Sequence, residues 1–102
     1  MTLGELLEQS AAELAEVAVD RAPAGMTWSR AGRPFALLSA DGVTAEFALD
    51  GPVAAAAART PDVSPSPRGA GWVNFRPTVL DDHAADRATA WFLSAHRRLA
   101  HG

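Results

Sequence analysis

Phe35-Ala36-Leu37-Leu38-Ser39-Ala40-Asp41-Gly42-Val43-Thr44-Ala45-Glu46-Phe47-Ala48-Leu49 is the stretch that decides the fold. An Asp-Gly pair between alternating apolar runs is the strongest short-range hairpin signal, because a type I′ turn needs positive φ at both central residues. The turn predicts a register: Ala40 opposite Val43, Leu38 opposite Ala45, Ala36 opposite Phe47 and Pro34 opposite Leu49, all apolar and all on one side of the ribbon. The other side carries Ser39 with Thr44, Leu37 with Glu46 and Phe35 with Ala48. A slip of one residue would place Glu46 among the apolar set, so pattern and turn specify the same pairing.

Upstream, Thr2-Leu3-Gly4-Glu5 has capping-box spacing, and Leu3, Leu7, Ser10, Leu14 and Val17 recur at three and four, which predicts a first helix. Pro23 and Gly25 end it. Met26–Arg30 reads as a short strand leading through Ala31-Gly32-Arg33-Pro34 into the hairpin.

Downstream, Asp50 is a suitable N-cap, Pro52 fits a first helical turn, and residues 53–59 form a helix that Pro61 stops. Its five alanines, Ala54 to Ala58, would let it lie close against a sheet. Asp62 to Gly71, with Pro65, Pro67, Gly69 and Gly71, reads as a loop. Trp72–Arg76 resumes as a strand with Val73 and Phe75 on its core side. Asp81 or Asp82 opens a last helix whose stripe is Ala84, Ala88, Trp91, Ala95 and Leu99, with acids early and Arg97, Arg98 and His101 late, as the macrodipole prefers.

The reading is a single α+β domain over residues 1–102: a two-layer sandwich, an antiparallel sheet with helices packed on one face, in the order α-β-β-β-α-β-α. The region around Thr78 and Val79 is a candidate fifth strand. A chain of this length can bury roughly 60–70% of its unfolded surface without disulfide or metal.

Composition excludes several classes. No apolar run approaches the ~20 residues of a membrane span, and no basic n-region precedes an apolar core, so a cytoplasmic protein with no membrane partner is expected. The absence of Cys removes thiol catalysis and Cys-ligated zinc. All nine basic residues are Arg, which reads as codon bias of a GC-rich genome. Residues 1–20 hold five acids and no base, and the net charge is −3, the opposite of the footprint of a phosphate-backbone binder. Nucleic acid is therefore disfavoured, although Arg30, Arg33, Arg68 and Arg76 would be the residues to carry it.

Catalytic constellations are sparse. Arg68-Gly69-Ala70-Gly71 is in the wrong frame for a phosphate loop and precedes a strand. His83 and Asp86 lie one helical turn apart, but His96 and His101 stand near the far end of that helix, so no third metal ligand is in reach. Ser64, Ser66 and Ser94 sit in no nucleophile elbow. No catalytic residue, metal or cofactor is expected, and enzymatic activity is disfavoured without being excluded.

Four stretches carry a resemblance: Phe35-Ala36, Ala54 to Arg59, Gly71-Trp72-Val73-Asn74-Phe75, and Ala90 to Leu99 with Ser94. In these the chain resembles the small bacterial MmcQ/YjbR-like proteins, over about two-thirds of its length. Ala95 stands where the family often has Tyr, and the Lys after the third strand is missing. The resemblance implies a secretion-chaperone-like two-layer fold and a suggested DNA-binding role. The Gly-Trp-Val-Asn-Phe strand and the Arg-bearing last helix are also similar to a luciferase-type domain of small bacterial proteins.

The expected function is a non-catalytic binding module, docking a protein partner or self-associating as a dimer, through an open sheet face. Trp28, Phe35, Leu37, Arg68, Trp72, Asn74 and Arg76 would form that surface. The alternative is a small-molecule site, conceivably enzymatic, between residues 64–71 and the sheet, with Arg76, Arg68 and Asn74 as polar anchors around Trp72.

Overall fold

The structure is a computed structural model and describes residues 1–101, except for the side chain of His101. Helix α1 (Leu3–Ala12) opens on the expected capping box: Thr2 accepts from the Glu5 N–H, and the Glu5 carboxylate accepts from the Thr2 N–H at 2.8 Å. Those bonds hold the Glu5 carboxyl below its ordinary range, the Thr2 N–H contributing most. Six strands follow in one antiparallel sheet: β1 (Ala18–Ala22), β2 (Gly25–Arg30), β3 (Arg33–Ser39), β4 (Ala45–Ala48), β5 (Val63–Pro65) and β6 (Trp72–Phe75). Their spatial order is β1-β2-β3-β4-β6-β5. Helix α2 (Gly51–Ala57) connects β4 to β5, and α3 (Asp82–Arg98) closes the chain before a 3₁₀ turn, Leu99–His101.

This is the expected α+β architecture with two strands more than the sequence suggested, β1 and β5. The first helix stops at Ala12, not near Val17. Glu16 turns to φ 61°, and a hydrogen-bonded cluster that reaches from the surface to the buried His96 fixes the segment. Arg30 donates from Nε and Nη2 to Glu16 at 2.9 and 2.6 Å, and from Nη1 to the carbonyl and Nδ1 of His96. His96 Nε2 lies 2.8 Å from the Ala15 carbonyl. A carbonyl only accepts and a guanidinium only donates, so the proton of this imidazole sits on Nε2. Leu14 and Val17 still pack against the core from irregular backbone, and residues 18–22 are left to pair with β2.

The hairpin register is the expected one, Ala36 opposite Phe47 and Leu38 opposite Ala45. Its turn is not type I′. The Ser39 N–H reaches the Thr44 carbonyl at 2.9 Å, Ser39 and Val43 donate to Asp41, and of the turn residues only Gly42 takes positive φ, 77°. These bonds, the Ser39 hydroxyl's first, hold the Asp41 carboxyl below its ordinary range. Ala40–Val43 therefore bulge out of the ladder, and Val43 is exposed. No strand forms at Thr78 and Val79: Thr78 bonds to Asp62 instead, and Val79 lies in solvent.

The core lies between the sheet and the two longer helices. Ala84, Ala88, Trp91 and Ala95 of α3 and Leu99 of the turn that follows are all buried, and Phe92 joins them. Phe92 meets Trp28 and Phe35 edge-on at centroid distances of 5.5 and 5.2 Å, while Trp91 meets Phe75 at 5.1 Å and Phe47 at 6.2 Å. Each such aromatic contact adds about 0.5–1.5 kcal/mol beyond the area it buries. Of the five alanines of 54–58, only Ala57 is fully buried; with Val53 and Ala54, partly buried against the core, it makes the one narrow face by which α2 rests there.

Candidate functional site

The face of the sheet away from the helices presents one row of side chains across all six strands. The register aligns Asp20, Thr27, Leu37, Glu46, Asn74 and Ser64. Alternation puts their strand neighbours on the helix side, so the row is what the sheet shows to solvent.

Glu46 is the centre of this row. The segment after β5 folds back onto it: the Ser66 hydroxyl donates to Glu46 Oε1 at 2.6 Å, and Arg68 Nε donates to the same oxygen at 3.1 Å. The Arg68 N–H donates in turn to the Ser66 hydroxyl at 3.2 Å, closing a small ring of bonds. Ser66 is buried by this arrangement, and the Glu46 side chain is only 18% exposed against 48% for Arg68.

A cleft of about 210 Å³ lies beside it, floored by Thr27 and Leu37, with the Ala22–Gly25 turn on one side and Glu46 and Arg68 on the other. A wider, more open hollow of about 500 Å³ continues past Arg68 over Asn74 and Pro67. Gly25 shapes the first wall. Its φ of 136° is left-handed territory, and a Cβ there would lie 2.0 Å from the Leu38 carbonyl oxygen.

The structure divides the residues expected to form a surface. Leu37, Asn74 and Arg68 come together on the open face, and Trp72 lies on the same face, partly buried and opposite Ala48 in the register. Arg76 is exposed just beyond β6, where its charge reaches the Asp41 carboxyl at the hairpin tip; it does not line the cleft. Trp28 and Phe35 are not surface residues at all, being 1% and 0% exposed. Trp28 belongs to the helix side by strand alternation. Phe35 reaches it through a β-bulge: Trp28 pairs with Ala36 and Ser29 with Pro34, which leaves Phe35 as an extra residue on β3, turned inward with its neighbour Ala36.

Glu46, Thr27 and Ser66 are site residues the sequence reading passed over. For Glu46 there was a signal, a lone carboxylate in the middle of the central hairpin's mixed side. Ser66 lay in the 64–71 segment expected to border a site, but nothing marked its own role, since its partner lies 20 positions away. His83 and Asp86 are exposed on α3, and among the described residues no group of three or more His, Cys, Asp or Glu could hold a metal ion. His96 is committed to the core cluster, and the side chain of His101 lies outside the described residues. No helix among the described residues is long and apolar enough to cross a membrane.

No protein-family model, curated protein or solved structure matches the chain.

Proposed function

We propose that the chain is a small-molecule-binding protein without catalytic chemistry of its own, and that its site is the cleft between the Ala22–Gly25 turn and the Ser66–Arg68 segment. The observation that carries this reading is the anchorage of that segment on Glu46. A wall held before the ligand arrives spares the ordering cost that would otherwise weaken binding. Leu37, Ala22 and Ala24 supply apolar surface and Thr27, Asn74 and Arg68 supply a few polar groups, the mixture small-molecule sites use. With Trp28 and Phe35 in the core, the open face loses most of the apolar area on which protein docking would depend. Among the described residues, the Ser66 hydroxyl bonds to Glu46 and the Arg68 N–H and to no imidazole that could act as base.

Amide chemical-shift mapping against a metabolite panel grouped by charge tests the proposal. At least one compound should shift Thr27, Leu37, Glu46 and Asn74 together and raise Tm, and Glu46→Ala, which frees the wall, should abolish both effects. A panel that leaves these four amides unmoved sinks the reading.

A second reading, self-association, draws support from the edge strand β1. All five of its residues are exposed, Val19 among them, and no proline interrupts it, so its outer backbone groups are free to pair. Light scattering at micromolar concentration should then show a dimer that Val19→Pro dissociates; a clean monomer removes the idea. The DNA-binding role implied by the MmcQ/YjbR-like resemblance is the weakest proposal, because Arg30 is tied to Glu16 and His96, Arg68 is tied to Glu46, and the net charge is −3.

A further inference from the structure

We propose that the ligand of the cleft is a small zwitterion, its ammonium on Glu46 Oε2 and its carboxylate on the Nη edge of Arg68. This rests on the small-molecule reading above and names the class of compound.

The argument begins with what Glu46 leaves unused. Both hydrogen bonds it receives fall on Oε1, and Oε2 has no partner among the described residues. No buried side-chain oxygen or nitrogen goes unpartnered there, and Glu46 is not an exposed residue, so Oε2 must open to solvent. Both hollows described above lie against this side chain. Arg68 is the mirror case. Its Nε is engaged, whereas Nη1 and Nη2 have no partner among the described residues, and the bond to Glu46 fixes the plane of the guanidinium. Two parallel N–H groups on one edge match the two oxygens of a carboxylate.

Charge then selects the ligand. Among the described residues, Glu46 and Arg68 are the only charged ones lining the smaller cleft, which thus carries one charge of each sign. A simple anion on Arg68 would lie against the free oxygen of Glu46, and a simple cation on Glu46 would lie against the guanidinium; each loses to the neighbour much of what it gains. A molecule with both charges a few bonds apart meets both free edges. At about 210 Å³ the cleft is smaller than the roughly 300 Å³ at which pockets for drug-sized ligands begin, which suits a molecule of amino-acid size. Leu37 and the methyls of Ala22 and Ala24 offer its short carbon body an apolar bed.

The test removes one charge at a time from the ligand and then from the protein. L-Leucine and β-alanine are the zwitterionic probes, N-acetyl-leucine lacks the ammonium, and leucinamide lacks the carboxylate. Shift mapping should place at least one zwitterion at Thr27, Leu37, Glu46 and Asn74, with either single-charge analogue weaker by roughly tenfold or more, the worth of one charge-assisted bond. Glu46→Gln should erase the advantage of leucine over N-acetyl-leucine, and Arg68→Gln its advantage over leucinamide. N-acetyl-leucine binding as tightly as leucine would make this a plain anion site and overturn the proposal, as equal binding by leucinamide would make it a cation site. If both zwitterions are silent while another panel member maps to the cleft, the zwitterion inference falls and the small-molecule reading stands. If nothing maps there, both fall.

Discussion

Phe35→Ala is expected to destabilise the protein by about 3–5 kcal/mol, as much as Phe47→Ala, the range for truncating a fully buried phenylalanine. By strand alternation alone the two would differ sharply, since Phe35 lies on the side of Glu46 and Phe47 on the apolar side. The bulge cancels that difference: Phe35 is 0% exposed, edge-on to Phe92 and 5.4 Å from the His96 ring. Urea unfolding followed by circular dichroism measures both losses. A Phe35→Ala cost below about 1.5 kcal/mol beside a full loss at Phe47 would mean that no bulge turns this ring inward.

Gly25→Ala should cost about 3 kcal/mol or more, although it adds one methyl group. The φ of 136° belongs to glycine, and holding another residue in such a region costs on the order of 1–3 kcal/mol before any collision is counted. Here there is also a collision, and it is with backbone. The Leu38 carbonyl oxygen, 2.0 Å from the new Cβ, is held in the β2–β3 pairing and cannot swing aside as a side chain would. Gly32 is the control: its φ is 78°, yet a Cβ there meets nothing within 4 Å, so Gly32→Ala should cost only the 1–2 kcal/mol of the left-handed backbone. Melting curves of the two variants that coincide would show that the close approach at Gly25 does not matter. Because Gly25 also lines the cleft, loss of its hairpin should remove ligand binding along with stability.

The parts of this fold that could be read from the sequence are those that periodicity encodes. The pairing of Ala36 with Phe47, the inward side of Val73 and Phe75 and the stripe from Ala84 to Leu99 all follow from side-chain alternation or helical repeat, and all are present. The misses share another cause. Leu14 and Val17 continue the spacing of the first helix and are partly buried, but they reach the core from irregular backbone, so the period continued where the helix did not. Prolines hid β5, because an edge strand tolerates them where a central one would not. The inward turn of Phe35 depends on one extra residue in β3, which composition does not mark. At the cleft, Arg68 and Asn74 were legible as polar groups near the sheet. Glu46 stood out only as a lone carboxylate on the hairpin's mixed side; its role as their organiser was not legible, because the bonds that make it one join residues 20 and 22 positions apart.

The two margins of the sheet differ, and the difference sets a limit on assembly. At one margin β5 is three residues long and ends in Pro65, which has no N–H to give, with Pro61 and Pro67 on either side. At the other, β1 runs five residues with every side chain in solvent. A sheet open at both margins can recruit copies without end, which is the geometry of a fibre. A sheet open at one has a single valence. Two chains joined isologously through β1 would use up both valences, and each would turn its proline-blunted margin outward, so that growth along the sheet terminates at the pair however concentrated the protein becomes.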